Sequence, residues 1–538
     1  MHPIATIARR LGIAPRYLTA YGEDKAKISL DAIKPQSGKL IAITGVTPAS
    51  VGDGNTTTAI GLADALAKAG HRAVVTLRQP AMGQLFRVKG GGTGAGWATI
   101  APAADINLHF TGDTHAVTTA HNLLAALTDN AARSHQVSGF TTDGIVWHRA
   151  SNIEDRSLRH IVTGIGGESS GPVHETGFDV VEASEVMAIL SLANGYDDLR
   201  KRLGAITVGY TAGKRAVRAG EIGAVGSMMA LLKDAMLPNL VQTGAGQPAL
   251  VHTSAFANLT DGASSVVADK LALGYADYVV TECGLGADLG FEKFMHIKMR
   301  SSGLHPSVVV LVATVSAIKS QGGVPDDALT RPDAMAVRIG AANLEHMVHI
   351  VKSFGVPLVV AISRFPSDTT EEVVILQDVA ITAGASAAVT CAAYADGTDG
   401  ADELAEAVER LASTRSEVSY LYKEAAPLRE KIFSIATKVY GATSISLSAE
   451  AERKLQFFQQ QGLDPLPICI AKTAFSLSHD PTRRNSPSGF SFEVTDIRAS
   501  TGAGFVYPIA GNILTMPGLP SHPRALNLDR YSNVTGIN

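Results

Sequence analysis

Thr47-Pro-Ala-Ser-Val-Gly-Asp-Gly-Asn-Thr-Thr-Thr58 brings glycines, a carboxylate and a run of hydroxyls into one short stretch. It follows the apolar Leu40-Ile-Ala-Ile-Thr44 and precedes Ile60-Gly-Leu-Ala-Asp-Ala-Leu-Ala-Lys68. A strand, a glycine turn and a helix start aim backbone N–H groups at a single point, which suits an anion. In such a cradle Thr47, Pro48, Gly52, Asp53, Gly54, Asn55, Thr56 and Thr57 would surround phosphates. Thr56 or Thr57 would coordinate Mg²⁺, and Asp53 would meet the metal or a substrate proton. The pattern G-x-x-x-x-G-K-[ST] is not met, because Ala49 and Asn55 stand where its first glycine and its lysine belong. The residues therefore suit either nucleotide phosphates or a tight strand-to-helix turn capped by threonine.

Three further groups carry chemistry. Arg78, after the apolar Ala73–Leu77 run, is placed to clamp a carboxylate or phosphoryl group with two parallel hydrogen bonds, or to serve as a surface or ion-pair residue. Close behind it, Lys89-Gly-Gly-Gly-Thr-Gly-Ala-Gly96 reads as a second backbone cradle, or as a flexible linker. His109-Phe-Thr-Gly-Asp113-Thr-His115 packs two imidazoles and a carboxylate together, with Asp113 available to fix a tautomer, or holds buried histidines satisfied by backbone carbonyls. His121 would be a third zinc ligand, but six-residue steps do not align three histidines on one helix face. Phe365 in Arg364-Phe-Pro-Ser-Asp-Thr369 and Tyr394 in Ala392-Ala-Tyr-Ala-Asp-Gly397 offer flat faces for a planar ring, or serve the core.

These groups need a scaffold, and the chain supplies one. Leu40–Thr44, Ala73–Leu77, Tyr278–Thr281, Val308–Thr314 and Leu358–Ile362 read as buried strands. Leu62–Ala69, Val186–Leu192, Met228–Leu232 and Ala341–Lys352 read as helices. The alternation predicts an α/β protein with a mostly parallel sheet, whose ligands sit at the carboxyl ends of strands. The loops Thr47–Thr57, Arg78–Gly96, Glu282–Gly290 and Arg364–Thr369 are then the place for chemistry. Boundaries are expected near Gly340 and Leu421, with an acidic, alanine-rich solvated helix between Asp399 and Thr414. The chain has 538 residues, 46% hydrophobic and 18% charged, with a formal net charge of -4, which gives no electrostatic case for nucleic acid. Its three cysteines are too widely spaced for a disulfide framework or a C-x-x-C metal pair. The N-terminus lacks a signal-peptide core, and the apolar runs are too short to span a bilayer, so a cytoplasmic protein without a membrane partner is expected.

Taken together, these segments resemble formate–tetrahydrofolate ligase, the 10-formyltetrahydrofolate synthetase family. Asp105-Ile-Asn-Leu-His-Phe-Thr-Gly-Asp113, Ala183-Ser-Glu-Val-Met-Ala-Ile189, Pro238-Asn-Leu-Val-Gln-Thr243, Gly286-Ala-Asp-Leu-Gly290, Arg498-Ala-Ser-Thr-Gly-Ala-Gly-Phe505 and Thr515-Met-Pro-Gly-Leu-Pro520 follow the family pattern. The resemblance implies ATP-dependent ligation of formate to tetrahydrofolate through formyl phosphate. It implies a P-loop-like nucleotide- and formate-binding parallel-sheet domain over residues 1–340. Two smaller α/β domains would follow, a folate-binding one over 341–421 and a C-terminal one over 422–538, in a homotetramer. By position, Thr47–Thr58 would hold the ATP phosphates and Mg²⁺, Arg78 would stabilise formyl phosphate, and Lys89 would line the same anion site. His109, Asp113 and His115 would position groups or handle protons, and Phe365 and Tyr394 would stack on the pterin.

The chain departs from the family at the anion site. Asn55 replaces the loop lysine, Gln79 an acidic residue, and Arg87 a small or uncharged one. His252-Thr-Ser-Ala-Phe256 replaces a glycine-rich stretch, and Asp261 a histidine. Either Arg87 reaches into the site and restores the lost charge, or the ATP half-reaction is gone. The second outcome would leave an ATP-independent 10-formyltetrahydrofolate hydrolase with His109 or His115 as base, or a silent folate-binding paralogue.

Overall fold

The computed structural model describes residues 1–49, 54–87, 92–255, 258–259, 261–414 and 416–527, the side chains of residues 168 and 527 excepted. Gly52, Asp53 and Lys89 lie outside the described residues.

One twelve-stranded sheet organises the chain. Its strands are β1 (Leu18–Ala20), β2 (Ala26–Ile28), β3 (Lys39–Gly45), β4 (Ala73–Leu77), β5 (Gly94–Ala95), β6 (Ala98–Ala101), β7 (Asn239–Thr243), β8 (Pro248–Val251), β9 (Tyr278–Gly286), β10 (Val308–Thr314), β11 (Leu358–Ser363) and β12 (Ala387–Cys391). The order runs β1-β2-β7-β8-β4-β9-β3-β10-β11-β12, with β5 and β6 attached to β7. From β8 to β12 every neighbour pairs in parallel, so the carboxyl ends of β4, β9, β3, β10, β11 and β12 share one edge.

The strands read as continuous apolar runs because both faces are covered. Along β10, Val309, Leu311 and Ala313 join one core while Val308, Val310 and Val312 join the other. Branched side chains fit a pleated surface buried on both sides. The strand and helix readings hold, with helices extending further: Asn55–Lys68 (α1), Glu185–Leu192, Val225–Leu232 and Ala334–Lys352. Two details differ. β9 does not stop at Thr281 but continues to Gly286, through a register shift that places Glu282 opposite Ile43 and Gly286 opposite Gly45. Residue 340 lies inside the helix Ala334–Lys352, and β10, β11 and β12 pair across it in the same sheet. The segment after residue 421 adds small two-stranded sheets, Ser444–Leu447 with Ser491–Val494 and Asp496–Ser500 with Phe505–Ile509. Its Leu428, Ile435, Phe492 and Val506 enter the same core as Leu40 and Val309. No described helix is long and apolar enough to cross a membrane.

Helix α1 is tied to the sheet by a buried polar contact. Thr243 Oγ1 donates to Asp64 Oδ1 at 2.7 Å, and burial pushes the Asp64 carboxyl up to about 7. The folded state then keeps a proton that the unfolded chain releases near pH 3.8. Stability from this group is full below that pH and is lost as pH rises to about 7. Asp64→Asn should therefore stabilise the protein at pH 8, by on the order of 4 kcal/mol at most. Thermal denaturation should show the gain shrinking toward zero near pH 4.

Candidate active site

Helix α1 begins at the carboxyl end of β3, the strand that carries the glycine loop. Its N-cap is Gly54 at φ 75°, so among the described residues the helix starts on a glycine and not on a capping threonine. The start of α1 lies at this sheet edge, where a helix dipole favours an anion.

Glu282 organises this edge. It sits on β9 between β3 and β4 and is 8% exposed. Thr56 Oγ1 donates to its Oε2 at 3.0 Å, and the Arg78 guanidinium lies 3.6 Å from its Oε1. Arg78 Nη1 also donates to the Ala255 carbonyl at 3.0 Å, while its Nε has no partner among the described residues. A side-chain carbon at Gly284 would fall 2.2 Å from Arg78 Nη2, so only glycine admits the guanidinium there. Asn55, 4% exposed, donates through Nδ2 to the Leu285 carbonyl at 3.3 Å, and its Oδ1 is buried without a partner among the described residues. Leu285 (φ 55°) and Thr253 (φ 58°) hold left-handed backbone beside Asn55 and Gln79. Such strain in non-glycine residues concentrates at functional sites.

Several expected roles change once partners are visible. Thr47 is 1% exposed, its N–H donates to Asn343 Oδ1 at 3.2 Å, and its Oγ1 accepts from Asn343 Nδ2 at 2.8 Å. Its N–H is thus committed, and Thr47 anchors the loop to the helix Ala334–Lys352. Pro48 and Thr57 are buried too. Arg87 does not replace the missing loop lysine. It forms an ion pair with Glu154, Nε to Oε2 3.2 Å, whose carboxyl burial raises and Arg87 lowers. Asp113 fixes neither histidine. Its Oδ1 pairs with Lys27 Nζ at 2.7 Å and its Oδ2 accepts from Asn239 Nδ2 at 2.7 Å, all three groups buried. His109 and His115 are exposed, His115 facing the hydroxyl of Thr119 on its own helix. His121 is stacked on Trp147 and hydrogen-bonded to Ser184 and the His148 carbonyl, and burial lowers it to about 4. Among the described residues no group of three His, Cys, Asp or Glu could hold a metal ion.

The other departures are absorbed by local contacts. Gln79 donates its N–H to the Thr253 carbonyl at 2.7 Å and accepts from Ser254 Oγ at 2.9 Å through its own carbonyl. His252 lies between Ser265 Oγ and the Ala235 carbonyl and is lowered to about 4 by burial. Asp261 accepts from Ser191 and is raised to about 6 by burial.

The aromatic pair lies next to this edge. A side-chain carbon at Gly54 would fall 2.9 Å from Ser363 Oγ, the last residue of β11, two positions before Phe365. Phe365 and Tyr394 have ring centroids 5.1 Å apart at 47°. The rings touch each other, so a planar ligand would enter between them only after they part to about 7 Å, twice the ordinary van der Waals separation. Asn343 does not stand out in the sequence, and Glu282 does so only as the start of the expected loop Glu282–Gly290. An acidic residue at the end of a strand is visible there, but its pairing with Thr56 and Arg78 needs the strand order.

The whole chain, residues 1–538, matches the family model for formate–tetrahydrofolate ligase. The chain belongs to the formate–tetrahydrofolate ligase family. A relative from Desulforamulus reducens named formate–tetrahydrofolate ligase is 46% identical, over 100% of this chain and 97% of its own. Relatives of the same name from Roseiflexus sp. and Sinorhizobium fredii are 47% and 48% identical, each over at least 96% of both chains. Membership turns the partners of Asp113 into a testable distinction. If Asp113 is a buried counter-ion, Asp113→Asn should cost about 3–5 kcal/mol of stability by leaving Lys27 unpaired, and pairing it with Lys27→Met should restore much of that. Denaturant melts measure the cost, and kcat/KM per folded molecule should stay near wild type.

Proposed function

We propose that this chain joins formate to tetrahydrofolate at the expense of ATP, giving 10-formyltetrahydrofolate. The observation that carries the reading is the cluster of Thr56, Glu282 and Arg78 at the ends of adjacent parallel strands, beside the Phe365–Tyr394 pair. Formate is a poor acyl donor because oxide would have to leave. A formate oxygen attacks the γ-phosphorus of ATP, ADP leaves, and formyl phosphate remains. The N10 amine of tetrahydrofolate then attacks the formyl carbon, phosphate departs, and the amine proton is lost. Little covalent work falls to the protein, whose part is to align reactants and hold charge.

The α1 N-terminus, with Gly54, Asn55 and Thr57 around it, receives the phosphates. Arg78, without a partner at Nε among the described residues and held at its other end by Glu282 and the Ala255 carbonyl, faces the transferred group. Mg²⁺ fits the same corner. The Thr56 hydroxyl and Glu282 carboxylate stand 3.0 Å apart, and Mg²⁺ usually takes one or two protein oxygens and completes its shell with phosphate and water. It would supply charge neutralisation on the phosphates. Phe365 and Tyr394 take the flat folate ring. The hydrolase alternative asks His109 or His115 to act as base, yet Asp113, the carboxylate between them, is spent on Lys27 and Asn239. A homotetramer in the cytoplasm completes the proposal. The exposed Val162, Ile165 and Val173 on one hairpin support an interface between subunits.

Product should form only when ATP, formate and tetrahydrofolate are all present. Consumption of 10-formyltetrahydrofolate by water alone would overturn the proposal. A lysine contact to phosphate is worth about 1.5–3 kcal/mol, so Asn55→Lys should raise kcat/KM for ATP by about tenfold or more. Arg78→Lys should lower kcat by about 10²–10³. Arg87→Gly should change kcat/KM for ATP by less than about twofold, because the Arg87 charge is spent on Glu154.

A further inference from the structure

Trp97 is 75% exposed, an unusual state for the largest apolar side chain. Its backbone is nevertheless firmly held. It lies in the turn between β5 and β6, whose antiparallel pairing sets Gly94 against Thr99 and Ala95 against Ala98. β6 continues into the main sheet, with Ala101 opposite Gln242 of β7. At the turn, Trp97 N–H donates to the Tyr394 carbonyl at 3.1 Å. The preceding Gly96 has φ +62°, and a side-chain carbon there would fall 2.0 Å from that same carbonyl. A side-chain carbon at Gly397 would meet Trp97 Cβ at 3.1 Å. The hairpin also rests on helix α1, where Gly94 lies against Ile60. The indole is thus mounted on the residue that carries one ring of the aromatic pair, and held out from it into solvent.

The pair itself leaves a gap in the recognition of a flat substrate. Phe365 and Tyr394 cover each other's facing sides. Folate also carries more flat surface than one stacked ring pair covers, since an aminobenzoyl ring follows its pterin. We propose that Trp97 is a third aromatic contact for the folate, meeting the flat surface that lies outside the Phe365–Tyr394 pair. The inference rests on the folate reading of that pair. Indole suits such a contact because it offers a large face with few rotatable bonds, and its N–H can meet a polar edge of the ligand. The occupant is folate rather than a second protein chain because Trp97 hangs from the Tyr394 backbone and its hairpin rests on the helix that begins at the anion edge.

The chain has only two tryptophans, which makes the test direct. Trp147 is 7% exposed, stacked on His121, with its indole N–H donating to the His121 carbonyl. In a Trp147→Phe variant all tryptophan emission comes from Trp97. Tetrahydrofolate titrated into that variant should quench the emission with the same midpoint that calorimetry gives for binding. Trp97→Ala should raise KM for tetrahydrofolate about tenfold while KM for ATP and formate and kcat stay near wild type, and Trp97→Phe should recover most of the loss. Calorimetric binding with unchanged Trp97 emission would overturn the inference and leave the ligase reading standing. So would an unchanged KM in Trp97→Ala, or a change in sedimentation without a change in KM, which would make Trp97 a subunit contact. Absence of any tetrahydrofolate binding to the wild-type protein would bring down the ligase reading and this inference with it.

Discussion

A single buried carboxylate, Glu282, holds the candidate site together. One of its oxygens takes the Thr56 hydroxyl at the start of α1, and the other lies beside the Arg78 guanidinium. Removed from water on the middle one of three adjacent strands, such a group is tolerable only with partners on both sides. It therefore fixes how the start of α1 and the loop after β4 approach one another. The register shift in β9 follows from the same constraint. The strand must turn after Glu282 so that the Leu285 carbonyl faces Asn55 and Gly284 leaves room for Arg78.

Helix α1 carries that arrangement sideways to the aromatic groups. Its first turn meets Glu282, and about one and a half turns on, a side-chain carbon at Gly61 would collide with Ala393 Cβ at 2.4 Å. Ile60 supports the hairpin that bears Trp97. A helix rises 1.5 Å per residue, so the anion edge and the Tyr394 loop are separated along it by about 9 Å. A substrate whose amine attacks an acyl phosphate must span that kind of distance, from a stacked ring to a phosphate-binding helix start.

Residues whose role depends on neighbours in the chain are legible in the sequence. The strand–glycine–helix order exposes the anion loop, and Arg78 is visible because it directly follows a strand that parallel pairing sends to the same edge. Phe365 and Tyr394 are visible for the same reason, although not their contact with each other. Asp113 misleads because its neighbours in sequence are His109 and His115, whereas its partners, Lys27 and Asn239, come from distant strands. Arg87 misleads in the same way, since Glu154 lies far along the chain. In both cases a buried carboxylate takes the nearest cation in space.

From sequence alone came the α/β alternation, the strand runs, the loop that departs from a lysine-bearing phosphate cradle, and a family resemblance borne by long motifs. All of these are local patterns, set by the period of apolar residues and the backbone freedom of glycine. Only the tertiary structure decided which charges neutralise each other, that Thr47 is tied to Asn343, that Glu282 joins Thr56 to Arg78, and that an exposed indole hangs from Tyr394. Those facts depend on strand order, and strand order depends on how distant apolar faces pack, which no short window of sequence contains.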